Sequence, residues 1–386
     1  MALVQTTRGT ENINQDQRQP DVSDKIWMID PDYATLAFFA RKLKKVKTVD
    51  PEYRHFEKQS PSRYDAVNYA TNYTSGATTI AVDDGTKFRA GDVVLDVSTN
   101  EQMRVSSIST NDLTVSRGWG ATSATTVTDN DVLCIIGNAN AEGASIRAVL
   151  SSNSAKVVNY TQIFREPFAV TETDDATELL AEKSDLAGLR RENLQIHMKD
   201  MERSALFGQA KEDTSGAQPI RATGGLRSHI STNVTTESQL TEAEFEDFIS
   251  DIFQAGGDKK MGFASPLLGS AINSWAKGKL NMFPKDKTYG IAITNYLSVH
   301  GSLDFTLERI LGENTTWNGY LFAVDMSLIQ YRYLGGNSKN RDTQLLKNRQ
   351  TAGDDLLKEE YLTEAGFQFM LENRHGYIKG VTSYAA

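Results

Sequence analysis

DDATELLAEKSDLAGLRRENLQIHMKDMERSALFG, residues 174–208, is the stretch on which the fold turns. Asp175 and Glu178 stand three residues apart at a helix start, where free N–H groups and the positive end of the helix dipole favour carboxylates. From Glu178 to Phe207 there is no proline, and Gly208 supplies a stop. An unbroken helix about 45 Å long is therefore expected, at ~1.5 Å per residue. Leu179, Leu186, Leu189 and Ile196 fall near one stripe, with Leu194, Met198, Met201 and Ala205 beside it, and Arg190, Arg191, Glu192, Lys199, Asp200, Glu202 and Arg203 between them. Only one side can be dry, so the helix reads as a beam lying on a sheet. Gly188 is its weak point, costing ~1 kcal/mol relative to alanine.

Downstream, Gln209–Gly225 reads as a loop holding Pro219 and Gly224-Gly225. Thr241-Glu-Ala-Glu244 is a capping box, and Phe245, Phe248, Ile249, Ile252 and Phe253 recur at helical spacing behind it. Strands are expected at Lys260–Ala264, Ile291–Thr294, Leu303–Arg309, Tyr320–Val324 and Leu328–Arg332, and a helix from Pro266 to Leu280. Helices among mostly sequential strands make an α+β class. Glu359–Val381 alternates well enough for a final hairpin turning at Arg374-His-Gly376.

Upstream, Val157–Arg165 alternates as one strand, and Glu166–Thr171 leads into the long helix. Ser75–Gly137 differs in composition, dense in Thr, Val, Ser, Asp and Gly, with strand-like runs at 78–82, 92–97, 102–108, 112–116 and 132–136. Five short strands parted by turn residues suggest a small barrel or sandwich, inserted in a larger domain. Between Val46 and Tyr73, Pro51 and Pro61 block a long helix and leave extended pieces. A short helix is expected from Tyr33 to Leu43 behind Asp30-Pro31, ending in the basic cluster Arg41, Lys42, Lys44, Lys45 and Lys47. That cluster is either a solvated face or a site for an acidic partner. Residues 1–25 are too polar for a core and form a tail, or an arm that orders against a neighbouring subunit.

The 386 residues allow two or three cores, and 41 basic against 50 acidic residues leave a net charge of −9. That balance argues against a chain whose main work is gripping nucleic acid. The single cysteine, Cys134, sits in an apolar run and is expected to be a buried structural thiol. Without an apolar N-terminal segment or an 18-residue apolar run, the chain is expected to be soluble, neither exported by a signal peptide nor membrane-spanning. His55, His197, His229, His300 and His375 lie far apart with no second ligand at metal spacing, and hydrolase, P-loop and dinucleotide signatures are absent. Neither enzyme chemistry nor a cofactor is expected.

Several stretches together resemble one family, the major capsid (major head) proteins of tailed bacteriophages, in the branch with a β-rich insertion. They are Thr78–Val82 through Arg117-Gly-Trp-Gly120, Glu142-Gly143, Asn159-Tyr-Thr-Gln-Ile-Phe-Arg165, Asp200-Met-Glu202 through Leu206-Phe-Gly208, and Arg221-Ala-Thr-Gly-Gly-Leu226. Gly353-Asp354, Glu359-Glu-Tyr-Leu362 and Asn373 add to them. The order and spacing of these motifs carry the likeness, from about Pro31 to the C-terminus.

The resemblance implies the Hong Kong 97-type fold. Residues 1–29 would be the N-terminal arm, 30–74 the start of the peripheral domain and extended loop, and 75–137 the inserted small all-β domain. Residues 138–173 would return the loop, 174–230 hold the spine helix and following loop of the peripheral domain, 231–324 the axial domain, and 325–386 the C-terminal part of the peripheral domain. Candidate subunit contacts are Trp27, Arg41, Lys42, Lys44, Lys45, Glu57, Arg165, Arg190, Arg191, Glu202 and Arg221. The implied role is structural: hexamers and pentamers of this chain enclosing double-stranded DNA in an icosahedral or prolate head, assembled in the bacterial host cytoplasm. Implied partners are further copies of the chain, the packaged DNA held non-specifically on the inner face, a portal, a separate scaffold protein and a decoration protein. The alternative is an accessory virion protein, a tail component or an adhesin, for which the β-rich module is the argument.

Overall fold

The computed structural model describes residues 45–177, 185–279 and 294–385. The expected arm over residues 1–29, the short helix ending at Leu43, the head of the long helix at 178–184 and residues 291–293 lie outside the described residues. Two compact units divide the chain: residues up to His55 together with those from Val157 onward, and Phe56–Lys156.

After β1 (Lys45–Thr48) and β2 (Glu52–Glu57), the second unit is built from β3 (Tyr64–Ala66), β4 (Thr79–Ala81), β5 (Asp92–Asp96), β6 (Gln102–Ser109), β7 (Asp112–Ser116) and β8 (Val132–Asn138). They form an antiparallel sheet in the order β3-β8-β5-β6-β7-β4. Its two ends meet, because Asn68 N donates to Ala81 O and Asp83 N to Ala66 O, each at 3.0 Å, beside a Val67–Val82 bridge. Of barrel or sandwich, the chain forms a closed barrel, and closure removes its free edges. Alternate side chains fill the inside, among them Ile80, Val94, Met103, Val105, Leu113 and Leu133. Cys134 falls between the inward Leu133 and Ile135, so the two-residue period turns it outward and leaves it half-buried, not buried as its apolar run suggests.

One buried ion pair latches the barrel. Arg117 donates from Nε to Glu101 Oε1 (2.8 Å) and from Nη2 to Oε2 (2.7 Å), and its remaining N–H groups reach the carbonyls of Thr74, Ala77 and Thr125. Glu101 also accepts from Gly118 N at 3.0 Å and Thr125 N at 2.9 Å. Burial opposes the charge on Glu101, but these donors outweigh it and hold the carboxyl at about 2. Arg117-Gly-Trp-Gly120 is thus the barrel's latch, with Gly118 in the left-handed region at φ 59°.

β9 (Ala155–Tyr160) pairs with β2 as a two-stranded ribbon, and β10 (Gln162–Thr171) follows. The one strand expected over residues 157–165 is therefore two with different partners. They part at Thr161, whose N–H donates to Pro51 O at 2.8 Å. Pro167 is tolerated inside β10 because β10 is an edge strand.

Thr171 then caps a single helical turn, Glu172–Asp175, which ends at Ala176. Thr177 Oγ1 donates back to Thr173 O at 2.7 Å, a local bond that competes with continuation of the helix. The long helix is described over Asp185–Phe207, 23 residues and about 35 Å; the first residues of the helix expected from Glu178 to Phe207 lie outside the described residues. It runs through Gly188 without ending there.

The rest of the chain adds β11 (Lys211–Asp213), β12 (Ile220–Ala222), β13 (Val234–Thr236), β14 (Gln239–Leu240) and β15 (Lys259–Ala264). Then come β16 (Thr294–Leu297), β17 (Ser302–Leu307), β18 (Leu321–Val324), β19 (Ile329–Gly336) and β20 (Lys339–Asn340). β21 (Gln344–Leu346), β22 (Leu356–Phe369), β23 (Gly376–Lys379) and β24 (Ser383–Tyr384) complete it. One sheet, β1-β19-β22-β10 with β20 and β21 attached, is covered by the long helix, which packs on β10 and β22. The second, β13-β23-β18-β15-β17-β16, shares a core with helices Glu242–Gln254 and Pro266–Lys279. The capping box at Thr241 and Glu244 forms with both bonds present.

The expected final hairpin does not form. β22 lies between β19 and β10, whereas β23 lies between β13 and β18 in the other sheet. The chain changes sheets at Leu371 (φ 57°), and Glu372 Oε1 then accepts from the N–H and hydroxyl of both Ser231 and Thr232. Residues 325–386 consequently do not return whole to the sheet under the long helix.

His375 closes this crossing and is fully buried. Its Nδ1 accepts from Asp325 N at 3.3 Å and its Nε2 donates to Met370 O at 3.0 Å. Burial pushes the imidazole down to about 4 from an ordinary 6.5, against the pull of the Met370 bond. Unfolded chain binds the proton more readily, so this group's stabilisation is complete above pH 6.5 and is lost as pH falls from 6.5 to 4, ~3 kcal/mol in all. Glu101 acts lower, its contribution being lost between 4.5 and about 2. Acid titration followed at single residues is expected to weaken the main unit before the barrel, and His375→Gln to flatten the main unit's limb between pH 6.5 and 4. An unchanged slope in that variant would assign the limb to other groups.

Candidate functional site

β22 places glutamates 359, 360 and 364 in a strand whose residues 359–369 are all buried. Each meets a guanidinium from elsewhere in the chain. Arg190, on the long helix, donates from Nε to Glu359 Oε2 (2.7 Å) and from Nη2 to Oε1 (2.6 Å). Arg165, on β10, donates from Nη2 to Glu360 Oε2 at 2.7 Å and Oε1 at 2.9 Å, with Arg349 Nε at 3.6 Å from the same carboxylate. Arg341 pairs with Glu364. Strand parity sends Glu359 and Glu360 to opposite faces, which is why one binds the helix and the other binds β10.

The pairs are asymmetric. Glu360 is 8% exposed at its side chain while Arg165 is 59% exposed, and Arg190 and Arg341 are about one-third exposed. Buried carboxylates thus hold half-exposed cations in fixed positions at the surface. The bond from Arg190 lowers the Glu359 carboxyl below its ordinary range, against burial.

The other candidate residues fall in several places. Lys45 pairs with Asp342 and lies 5.7 and 5.3 Å from the ring centroids of Tyr331 and Tyr333. Arg221 meets Glu212 at 2.8 Å across the β11–β12 hairpin. Glu57 is half-buried at the end of β2, and Arg191 is exposed on the long helix. Trp27, Arg41, Lys42 and Lys44 lie outside the described residues. Glu202 is corrected: it is fully buried within its own subunit, so its side chain has no surface to offer a neighbour. Ile196 is corrected in the opposite sense, since it is 38% exposed although the stripe placed it inside.

Sequence reasoning missed the exposed apolar residues. Leu297 is 70% and Val299 fully exposed at the β16–β17 hairpin, Ile220 is 71% exposed beside Arg221, and Ile163 is 51% exposed on β10. A lone apolar residue in a turn is the signal they leave in sequence, and it is weak because exposed apolar residues are common. Contiguity with fixed cations is what only coordinates supply: Ile163 and Arg165 share the outward parity of edge strand β10.

Truncating Arg190 leaves Glu359 buried without its donor, so Arg190→Met is expected to cost the isolated subunit ~2 kcal/mol. Arg165→Ala is expected to cost under ~1 kcal/mol, its guanidinium being largely solvated and Arg349 remaining beside the Glu360 carboxylate. Thermal unfolding of the two variants checks the order, and equal losses would contradict it.

A family model described as SU10 major capsid protein matches residues 4–382. A major capsid protein of Pseudomonas phage PaMx41 is 25% identical over 276 residues, covering 68% of this chain and 66% of that protein, just under two thirds of its length. Among solved structures, a chain of Mycobacterium phage Cain is similar at a TM-score of 0.49 and 10% identity, over 99% of this chain and 100% of that one. The capsid of a native GTA particle is similar at a TM-score of 0.48 and 10% identity, over 98% of each chain.

Proposed function

The chain belongs to the SU10 major capsid protein family, and from that premise we propose that it is the shell-forming protein of a tailed bacteriophage head. The match of the family model across residues 4–382 carries the reading. On this reading sheet β1-β19-β22-β10 under the long helix would be the peripheral domain, the β13-to-β16 sheet with its two helices the axial domain, the β2/β9 ribbon the extended loop, and the barrel its insertion; the two separate sheets and the separate β-rich unit support that assignment.

The surface suits a chain tiled with its own copies. Edge strand β10 offers apolar Ile163 beside Arg165, and the β16–β17 hairpin offers Leu297 and Val299. Such surfaces are idle in a lone subunit and become contacts in a closed lattice, where many weak contacts act together. We take the lattice to consist of hexamers and pentamers assembled in the host cytoplasm, enclosing double-stranded DNA held without sequence preference. A portal, a separate scaffold protein and a decoration protein are the partners we propose for such a head. A net charge of −9 suits a container that must not grip its contents.

Electron microscopy and sedimentation of the purified chain, alone and with co-expressed scaffold, test this. Closed shells are expected, and a chain that stays monomeric in every condition and is absent from virion shells would refute the reading.

Ser152 Oγ donates to Gln59 O at 3.4 Å, so the two chain ends entering and leaving the barrel lie within a hydrogen bond of each other. Replacing residues 60–151 by a short Gly-Ser linker is therefore expected to leave the main unit folded, with its melting transition retained. Loss of all soluble protein would show that the barrel is needed for folding.

A further inference from the structure

Two of the motifs that carried the resemblance, Asn159–Arg165 and Arg221–Leu226, meet at one side chain. Asn159, on β9, uses all of its amide. Its Oδ1 accepts from Gly224 N (2.7 Å) and Tyr160 N (2.8 Å), and its Nδ2 donates to Phe367 O (2.8 Å) and Gly224 O (3.1 Å). Phe367 O accepts a second bond from Tyr53 Oη on β2, at 2.8 Å. Gln162 Oε1 accepts from Thr223 N at 3.1 Å, so the neighbouring turn is held as well.

The packing leaves no slack. A Cβ at Gly366 would stand 2.5 Å from Tyr53 Oη and 2.6 Å from Tyr160 O. A Cβ at Gly225 would stand 2.5 Å from Ser204 O and 2.7 Å from Ala205 O, inside the last turn of the long helix, and Gly225 N donates to Gly208 O at 3.0 Å. Three members therefore converge: the root of the β2/β9 ribbon, strand β22 and the C-terminal end of the long helix. The glycines allow backbone to touch backbone, and Asn159 supplies the bonds between them.

We propose that Asn159 is a positioning residue for shell assembly, tying the root of the β2/β9 ribbon to the end of the long helix through the Gly224-Gly225 turn, so that root and helix move as one body. This rests on the shell-forming reading. A ribbon free at its root could meet neighbours over a range of angles, and a lattice closes to one size only when that angle is restricted. Asn159 suits the task because its amide both donates and accepts in one plane, reading both backbone groups of Gly224.

Asn159→Ala and Asn159→Asp test it, with Cys134→Ser on the barrel, a side chain outside the tie, as the control. Asp keeps the two acceptor bonds and loses both donors. Both Asn159 variants are expected to give shells of mixed diameter, or open sheets, by electron microscopy, while Cys134→Ser gives the wild-type diameter. Hydrogen exchange at the Gly224 and Tyr160 amides of the full-length subunit is expected to quicken at least ~10-fold in Asn159→Ala. Single-diameter shells from both Asn159 variants would overturn the proposal. So would wild-type Gly224 and Tyr160 amides that exchange as fast as exposed ones, a result available even if the variants do not fold. A wild-type chain that never forms shells overturns the shell-forming reading and the assembly role with it, while exchange separately decides whether the tie exists.

Discussion

Carboxylates buried on β22 are the constraint on which the main unit is built. An ionised carboxylate out of water costs several kcal/mol unless a well-placed cation and further donors meet it. β22 carries three such groups, and the cations come from the long helix, from β10 and from the segments flanking β21. Partners up to 195 residues apart are thereby drawn to a single strand. Apolar packing of Phe164, Met201, Ala205, Leu206 and Phe367 brings helix and sheet together, and the ion pairs set which side chain faces which.

The same chemistry recurs in the barrel at smaller scale. Glu101 and Arg117 are sealed in together, with every guanidinium bond directed to Glu101 or to a carbonyl. Here the pair is enclosed, whereas on β22 the cationic partner stays half in solvent. An enclosed pair serves the fold alone. A half-exposed arginine whose position is already fixed would lose little further freedom on meeting a neighbour, as the proposed shell-forming role requires.

Legibility followed the range of the signal. The capping-box helix, the barrel strands 79–81, 92–96, 102–109, 112–116 and 132–138, and strands β15, β17 and β18 were readable because caps, alternation and turn residues act over a few positions. The long helix was readable in kind, and its described part, Asp185–Phe207, lies within the proline-free span that ends at Gly208. Its buried face was misjudged at Ile196 and Glu202, since the sheet beneath chooses the face by what it offers, and a polar residue can lie inward where partners exist. Of the candidate contacts, Arg165 and Arg190 were visible as charges, but their glutamate partners were not.

By itself the sequence determined the element types, the α+β class, the separate β-rich block and, through the order of its motifs, the family. Those properties are local, or survive as spacing along the chain. Only the tertiary structure decided that β22 and β23 belong to different sheets, that the barrel closes through Val67 and Val82, and that Asn159 reads the backbone of a turn 65 residues away. Pairing between distant strands and bonds to backbone groups leave almost no mark on residue type, because any residue carries the N–H and C=O that such contacts use.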